Sequence, residues 1–309
     1  MKLYKPKFWK SKNLISLSLI PLSLITQLII FFKKLFTKVQ NFKIPVICVG
    51  NIYIGGTGKT PLCISIAKEL LVKGRNPAII RKYYKSHKDE HELIKRNFAN
   101  LVLNSNRYNA ILDAENEKFD SVILDDGYQD YKIKKNLNIL CFNSNQLVGN
   151  GFIIPAGPLR ESLDAIKKAQ IIVINGERNS LFEKKILGIN KDLDIFYSSY
   201  NPVNVEKFKE KKLLAIAGIG NPENFFELLG KHNLNVVKKY IFPDHYIFNK
   251  NEVEKLIGEA KKNNYQIVLT EKDYYKFKEF KNKKVDFLKV ELIIKEKEKL
   301  IKKINNIYN

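Results

Sequence analysis

A glycine-rich segment with the sequence GNIYIGGTGKTP, residues 50–61, constrains the fold of this chain more than any other feature. It follows a short apolar run, residues 46–49, and precedes an amphipathic segment of about residues 59–71 that is closed by Gly74. This order predicts a β-strand, a tight loop and an α-helix. A glycine loop at the start of a helix is typical of a phosphate-binding site, because backbone N–H groups and the helix dipole favour anions there.

The end of this loop carries the groups that bind a nucleoside triphosphate. Lys59 can place its charge on the β- and γ-phosphates, and the Thr60 hydroxyl can ligate Mg²⁺. Tyr53 stands where the G-x-x-x-x-G-K-[ST] pattern has its first glycine, but that position only has to lead the chain out of the strand. The predicted nucleotide-binding residues are Tyr53, Ile54, Gly55, Gly56, Thr57, Gly58, Lys59 and Thr60.

Further apolar segments alternate with helical or loop segments after this loop. The predicted strands are NPAIIRK, NLVLNS, FDSVILDDG, LNILCFN and AQIIVING. Short, continuously apolar strands separated by crossovers indicate a parallel sheet that is covered on both faces. We therefore expect an α/β fold: a P-loop NTPase-type parallel sheet domain, with a smaller C-terminal α/β domain and an N-terminal membrane-associated helix.

The pattern changes at the polar and aromatic segment of residues 195–212, after which a second strand-turn-helix unit begins. We place the boundary near Tyr200. The expected division is residues 1–42 as a hydrophobic membrane-associated segment, 43–200 as the nucleotide-binding domain and 201–309 as the smaller α/β domain.

The uncharged segment LISLSLIPLSLITQLIIFF, residues 14–32, is barely long enough to cross the ~30 Å hydrocarbon core of a bilayer. A signal peptide is disfavoured, because no alanine precedes Ala67 and an A-x-A cleavage site is absent. Ser16, Ser23 and Gln27 form a weak polar stripe, which favours a helix lying in the membrane surface over a spanning helix. A buried core helix is the remaining alternative.

The chain has 54 Lys and Arg against 32 Asp and Glu, a formal net charge of +22. Such an excess favours polyanionic partners, although lysine is frequent throughout the chain. An anionic membrane surface is expected and nucleic acid is not, because the sequence has no basic-aromatic nucleic-acid motif. Cys48, Cys63 and Cys141 form no C-x-x-C pair and are expected to be reduced core residues.

Several acidic residues lie in segments where ligands for Mg²⁺ are expected. Asp125 and Asp126 end a predicted strand at the sheet edge from which the glycine loop emerges, where a P-loop enzyme holds Mg²⁺. The segment GNGFIIPAGPLRE, residues 149–161, ends in Arg160 and Glu161. The arginine could clamp a phosphate and the glutamate could join the metal ligands, although a structural turn is an equal alternative.

Another acidic pair, Asp89 and Glu90, lies in KSHKDEHEL, and His245 lies in FPDHYIF. A carboxylate that acts as a base needs a neighbour to adjust its basicity, and a histidine across an interdomain cleft could be that neighbour. Spacing alone does not pair them, and a structural role for His245 is the alternative.

Taken together, the motifs resemble the tetraacyldisaccharide 4'-kinase family of lipid A biosynthesis. The matching segments, in order over nearly the whole chain, are VGNIYIGGTGKTP, LDDGYQD, GNGFIIPAGPLRE, AGIGNPENFF, FPDHYIF and LTEKD. The resemblance implies ATP- and Mg²⁺-dependent phosphorylation of the 4'-hydroxyl of a tetraacylated glucosamine disaccharide 1-phosphate. It also implies a place at the cytoplasmic face of the inner membrane. We further expect a monomer that is attached peripherally or monotopically and whose smaller domain closes the substrate cleft.

The resemblance also implies roles for individual residues. The implied catalytic residues are Asp89, His245, Lys59 and Arg160, and the implied metal ligands are Thr60, Asp125, Asp126, Glu161 and Glu90, with Tyr83 and Arg107 as further site residues. Asp130 departs from the histidine of the family, and RKYY, residues 81–84, departs from its RGYG turn. The alternative function is a membrane-tethered P-loop ATPase that switches a protein partner.

Overall fold

The structure is a computed structural model that describes residues 5–277, 280 and 283–308, without the side chain of Ser86. Residues 1–4 of the predicted N-terminal segment, and residues 278–279, 281–282 and 309 of the predicted smaller domain, lie outside the described residues. The chain divides into two compact units. The larger unit contains Lys5–Tyr83, Phe98–Ser199 and Ile293–Asn309, and the smaller contains Tyr84–Asn97 and Tyr200–Leu292.

One boundary between the units falls at Tyr200, and three segments belong to other units than the expected division gives them. Residues 5–42 and 293–309 belong to the larger unit, and residues 84–97 belong to the smaller one. Both boundaries of the Tyr200–Leu292 segment fall inside strands, Asp194–Pro202 and Val290–Ile294.

The α-helices are α1 (Leu14–Ser18), α2 (Ile20–Leu35), α3 (Lys59–Val72), α4 (Lys88–Asn97), α5 (Arg107–Asn116), α6 (Ser180–Leu187), α7 (Pro222–Lys231), α8 (Lys250–Lys262), α9 (Glu271–Phe277) and α10 (Lys297–Asn305). The strands are β1 (Val46–Gly50), β2 (Pro77–Lys82), β3 (Leu101–Asn104), β4 (Ser121–Asp125), β5 (Leu137–Asn143), β6 (Ile171–Asn175), β7 (Asp194–Pro202), β8 (Leu213–Ala217), β9 (Val236–Ile241), β10 (Gln266–Thr270), β11 (Val285–Leu288) and β12 (Val290–Ile294).

The sheet of the larger unit has the order β12-β7-β6-β5-β1-β4-β2-β3. All pairs from β7 to β3 are parallel. Every residue of β1, β4 and β6 is buried, as expected for central strands with both faces covered. In the register of β1 and β4, Val49 lies opposite Asp125, so the glycine loop and the acidic pair leave the sheet at the same edge. The prediction of an α/β fold with a large parallel sheet is confirmed.

The segment predicted as a break in the pattern contains β7, which pairs with β6. Its burial is mixed, because it lies near the edge of the sheet, and this explains its polar and aromatic composition. The smaller unit has a second parallel sheet with the order β11-β10-β8-β9. The segment VDFLKVEL, predicted as one strand, forms β11 and β12, which belong to different sheets.

The N-terminal segment folds as α1 and α2, with Ser16 and Ser23 towards the protein, whereas Gln27, the third residue of the predicted polar stripe, is exposed. Ser16 and Ser23 are buried, with exposed fractions of 0% and 3%, while Leu14 and Leu35 are 84% and 62% exposed. Pro21 lies in the first turn of α2 and does not interrupt it. Within the described residues, none of the helices combines the length and the apolar character needed to cross a membrane.

Candidate active site

The glycine loop leads from β1 into α3 with its backbone in a conformation suited to phosphate. Gly55, Gly56 and Gly58 have φ angles of 71°, 71° and 88°, in the left-handed region where a side chain would be strained. Asn51 donates a hydrogen bond from Nδ2 to the Thr57 hydroxyl at 3.0 Å, inside the loop. The loop is therefore shaped by residues of its own sequence.

The structure explains why tyrosine, and not glycine, can occupy position 53 at the start of the glycine loop. It forms an isolated antiparallel bridge with Leu159, and the backbone N–H of Ile54 donates to the Pro158 carbonyl at 3.0 Å. The Tyr53 side chain is buried in the core of the larger unit. At this point the chain is still extended, so a glycine is not required, and the Tyr53 side chain packs in the core.

Thr60, Asp125 and Arg81 form a buried group at the start of α3. The Thr60 hydroxyl donates to Asp125 Oδ2 at 2.8 Å, and Arg81 donates from Nη1 to the same carboxylate oxygen. Oδ1 of Asp125 is buried and has no hydrogen-bond partner in the described part of the chain. A hydroxyl and a buried carboxylate oxygen are ligands that Mg²⁺ prefers, so these residues fit a magnesium ion.

Asp126 is held by cationic side chains. Arg160 donates from Nη1 to both carboxylate oxygens, at 2.9 Å and 3.1 Å, and Lys59 Nζ lies 3.6 Å from Oδ1. Burial raises the pKa of Asp126, but the charges of Lys59 and Arg160 outweigh it and hold this pKa below its ordinary value. Asp126 has a φ of 59°, a left-handed conformation that aspartate tolerates better than most residues.

Glu161 is buried, and its partners include Tyr131, Gln129 and Lys34. Gln129 donates from Nε2 to Oε1 at 3.0 Å, and Lys34 Nζ of helix α2 lies 2.6 Å from Oε2. Arg160 is held by its backbone N–H, which donates to the Ile52 carbonyl at 2.7 Å. The larger unit thus brings together the sequence-predicted residues Lys59, Thr60, Asp125, Asp126, Arg160 and Glu161.

Arg107 connects the acidic turn to Asp130. It donates from Nη2 to the Asp126 carbonyl at 2.9 Å, and its Nη1 lies 3.7 Å from Asp130 Oδ2. The negative charge at Asp130, where the resembling family has histidine, is therefore balanced by a cation already present at the turn.

In the smaller unit, Asp89 at the start of α4 is buried among cationic groups. His245 Nδ1 lies 3.5 Å from Oδ1, and Lys276 Nζ and Lys272 Nζ lie 3.2 Å and 3.8 Å from Oδ2. Burial raises the pKa of Asp89, but the His245 imidazole and the charges of Lys272 and Lys276 outweigh it, and the pKa lies below its ordinary value. His245 has a φ of 58°, again in the left-handed region.

Helix α9 supplies both lysines: Lys272 belongs to the LTEKD motif and Lys276 lies one helical turn after it. Asp273 is fully buried, accepts from the Gly218 N–H at 2.7 Å and from the Thr270 hydroxyl at 2.8 Å, and lies 2.9 Å from Lys276 Nζ. This links the AGIGNP turn to α9. Sequence reasoning quoted both motifs but did not assign Lys272, Lys276 or Asp273.

Glu90 lies in the same cluster of the smaller unit. Lys272 Nζ is 3.1 Å from Glu90 Oε1, and the rings of His87 and His245 stack with centroids 3.9 Å apart. His87, Glu90 and His245 each offer one ligand atom, all within 4.8 Å of one another, as a metal site would. The nearby Lys272 ammonium and the parallel rings argue against such a site, because the ring lone pairs do not converge on one point.

The sequence motifs did not identify three further residues that contact the acidic groups of the larger unit: Arg81, Gln129 and Lys34. Arg81 and Gln129 contact Asp125 and Glu161 directly, and Lys34 reaches Glu161 from the apolar segment. For Arg81 the available sequence signal was its position near the end of the predicted strand NPAIIRK. The structure pairs this strand, β2, with β4, which carries Asp125. The Lys34 contact had no sequence signal, because it joins residues far apart in the chain.

A parallel sheet whose first strand leads through a glycine loop into a helix, with a strand-terminal carboxylate bonded to the loop threonine, defines a P-loop nucleotide-binding protein. The comparisons with known proteins narrow this class. Residues 15–309 match the family described as LpxK, tetraacyldisaccharide-1-P 4'-kinase, and the chain belongs to this family.

Similar proteins cover the chain almost completely. A tetraacyldisaccharide 4'-kinase of Pelagibacter ubique (strain HTCC1062) is 40% identical over 98% of both chains, and one of Rickettsia akari (strain Hartford) is 33% identical over 98% of this chain and 97% of its own. The crystal structure of LpxK from Aquifex aeolicus in complex with ATP has a TM-score of 0.71 and 26% identity, and covers 96% of this chain and 100% of its own.

Proposed function

We propose that this chain is an ATP-dependent kinase that phosphorylates the 4'-hydroxyl of a tetraacylated glucosamine disaccharide 1-phosphate, a step of lipid A biosynthesis. Membership in the family over nearly the whole chain supports this function. The observation that carries it is the bonding of Thr60 to Asp125 directly beside the Lys59 loop, since this arrangement serves triphosphate chemistry.

In the larger unit, we assign ATP binding to the loop of residues 53–60. The loop N–H groups and Lys59 bind the β- and γ-phosphates, and Arg160 neutralises charge on the transferred phosphoryl group. Thr60 and Asp125 would hold Mg²⁺, with Asp126 and Glu161 as further acidic groups near them. When bound, Mg²⁺ supplies neutralisation of phosphate charge.

In the smaller unit, we assign Asp89 as the base that accepts the proton of the sugar hydroxyl and His245 as the residue that orients it. A carboxylate with a lowered pKa is a weak base. This is compatible with phosphoryl transfer, in which positioning and charge neutralisation lower the barrier more than proton removal does. Glu90 and Lys272 complete this hydrogen-bonded group.

We further propose that α1 and α2 attach the chain to the cytoplasmic face of the inner membrane as a peripheral or monotopic protein, with the chain as a monomer. The exposed apolar side chains of these helices include Leu14, Ile25, Leu28, Phe32 and Leu35. Lysines of the same segment would contact anionic lipid. Exposed apolar side chains that cluster on one segment in this way mark a contact with a membrane or a partner.

The kinase assignment is tested by incubating the protein with γ-labelled ATP and a tetraacylated disaccharide 1-phosphate in detergent micelles. We expect the label in the lipid, dependent on Mg²⁺. Release of labelled phosphate without label in the lipid would contradict the assignment and favour the ATPase that switches a partner.

The membrane assignment is tested by flotation with vesicles that contain phosphatidylglycerol. Leu28→Glu should reduce binding, because it places a charge on the exposed face of α2. Leu181→Glu is the matched control, since Leu181 is an 81% exposed leucine of α6 outside the N-terminal segment. Equal binding by the two variants would contradict the assignment.

A further inference from the structure

The loop of residues 149–161, here called the Arg-Glu loop because it ends in Arg160 and Glu161, is built against the N-terminal segment. The Trp9 indole donates from Nε1 to the Pro155 carbonyl at 2.9 Å. The Ser23 hydroxyl donates to the Ile153 carbonyl at 2.7 Å and accepts from the Ala156 N–H at 3.1 Å. Trp9 and Ser23 thus satisfy backbone groups of the loop.

The last contact of this series reaches the end of the loop. Lys34, in the final turn of α2, lies 2.6 Å from Glu161 Oε2. The Glu161 side chain is 3% exposed and that of Lys34 is 33% exposed, so this ion pair is partly shielded from water. Lys34 Nζ also lies 5.0 Å from the centroid of the Tyr131 ring, which restricts where the ammonium can go.

The Arg-Glu loop in turn contacts the nucleotide-binding side of the larger unit. Its Leu159 bridges Tyr53, its Pro158 carbonyl accepts from Ile54, and Arg160 holds Asp126. A displacement of the loop would therefore move Glu161 and Arg160 together, and would move the first residues of the glycine loop with them.

We propose that Lys34 is a positioning residue for phosphoryl transfer: it orients Glu161 and thereby couples the docking of the apolar helix α2 to the arrangement of Arg160 and Asp126. This proposal rests on the proposed function for the roles of Glu161 and Arg160. It assigns the N-terminal segment a part in building the site, in addition to membrane attachment.

The alternative for Lys34 is contact with a lipid head group alone, and the two roles predict different kinetics. A lysine that only binds lipid affects the KM for the lipid substrate, whereas a lysine that orients Glu161 affects kcat. In detergent micelles, Lys34→Ala should lower kcat about 10-fold, the scale of losing a residue that orients a metal ligand. Lys34→Arg should recover most of the loss, because it restores a cation that can reach Glu161.

Lys297→Ala is the matched control. Lys297 and Glu69 form an ion pair of the same length, 2.6 Å, in the larger unit, away from the Arg-Glu loop. The kcat of Lys297→Ala should equal that of the wild type. A raised KM for lipid with unchanged kcat in Lys34→Ala would overturn the proposal.

A double variant tests whether Lys34 acts through Glu161. In the Glu161→Gln background, Lys34→Ala should change kcat by less than about 2-fold, because the group it orients is already altered. A full 10-fold effect in that background would overturn the proposal even if the single variant behaves as expected.

Trp9 offers a readout that needs no lipid transfer, since it is the one tryptophan of the chain and contacts the Arg-Glu loop. Binding of ATP with Mg²⁺ should change Trp9 emission in the wild type and in Lys297→Ala, and the change should be reduced in Lys34→Ala. Equal changes in all three would contradict the coupling. Absence of lipid phosphorylation with the Trp9 pattern intact would instead contradict the proposed function.

Discussion

Each unit holds an aspartate beside another acidic residue, but the two aspartates are surrounded by different cations. In the larger unit, Asp126 is held by Lys59 and Arg160. In the smaller unit, Asp89 is held by His245 and two lysines. Both carboxyl groups have a pKa below the ordinary value, for the same reason: nearby positive charge outweighs burial.

The difference lies in how the cations contact the carboxylate. Arg160 donates to both oxygens of Asp126 through its planar guanidinium, so this group is suited to fixed electrostatic work on a triphosphate. Around Asp89, the nearest nitrogens of His245, Lys272 and Lys276 lie 3.5, 3.8 and 3.2 Å from single carboxylate oxygens. The comparison predicts that the larger unit carries binding and charge neutralisation, and that the smaller unit carries the step that depends on the protonation of Asp89.

The largest effect is expected from Lys59→Ala. Loss of the ammonium beside the β- and γ-phosphates should lower kcat/KM by about 10²–10³-fold, the scale for removing a preorganised electrostatic group. Label transfer to lipid and ATP affinity measure it. Lys68→Ala, an exposed lysine of the same helix α3, should behave as wild type. Comparable loss in both variants would remove Lys59 from the site.

Asp89→Asn comes next. It removes the proton acceptor and should lower kcat about 10²-fold, the lower end of general base contributions, with ATP affinity retained. Equilibrium binding of ATP and label transfer separate the two quantities. Asp286→Asn, an aspartate of the same unit paired with Lys207 at 3.6 Å, is the control. Loss of ATP affinity in Asp89→Asn would contradict the assignment of ATP binding to the larger unit alone.

Lys272→Met should shift the pH dependence of kcat/KM. Removing this charge raises the pKa of Asp89, so the acid limb of the pH profile of kcat/KM should shift to higher pH. Because the pKa is lowered from 3.8 by folding, Asp89 stabilises the fold above that pH, and this stability is lost as pH falls. In Lys272→Met, this contribution should be smaller and be lost at a higher pH.

The measurement for Lys272→Met is a pH profile of label transfer, with carboxyl NMR of Asp89 as a direct check. Lys262→Met, an exposed lysine of α8, should keep the wild-type profile. An acid limb that stays in place in Lys272→Met would show that this charge does not control Asp89.

Arg160→Lys should have the smallest effect. It keeps the charge but loses the paired hydrogen bonds to both oxygens of Asp126, so we expect kcat to fall by about 3- to 10-fold with no shift of the acid limb. Arg178→Lys, which alters an exposed arginine paired with Glu183, is the matched control. A shifted acid limb in Arg160→Lys would remove the distinction between the two aspartate groups.

The sequence predicted the nucleotide-binding half of the fold well, because strand, loop and helix signals there are local. The predicted strands from residue 46 to residue 175 all appear as β1–β6, and the three cysteines are buried and free. Burial raises the pKa of the Cys48 thiol to about 12, which agrees with an inert core residue.

What the sequence left open depends on tertiary contacts. The polar stripe of Ser16, Ser23 and Gln27 indicated an amphipathic helix but not which face meets the protein. The structure buries Ser16 and Ser23, bonds Ser23 to the Arg-Glu loop and leaves Gln27 exposed. Residues 84–97 fold with the smaller unit because Asp89 is held by α9 and His245, which lie far along the chain. No periodicity encodes such pairings.

The chain leaves the larger unit at Ser199 and returns to it at Ile293, where α10 buries Leu300, Ile301 and Ile304. During synthesis, helix α10 of the larger unit is therefore translated only after the whole Tyr200–Leu292 segment of the smaller unit. Domains that are continuous in sequence can fold one after the other on the ribosome, but the larger unit cannot complete its core before α10 has been made. A ribosome stalled before residue 293 would hold a glycine loop in an unfinished unit, exposed to chaperones and proteases.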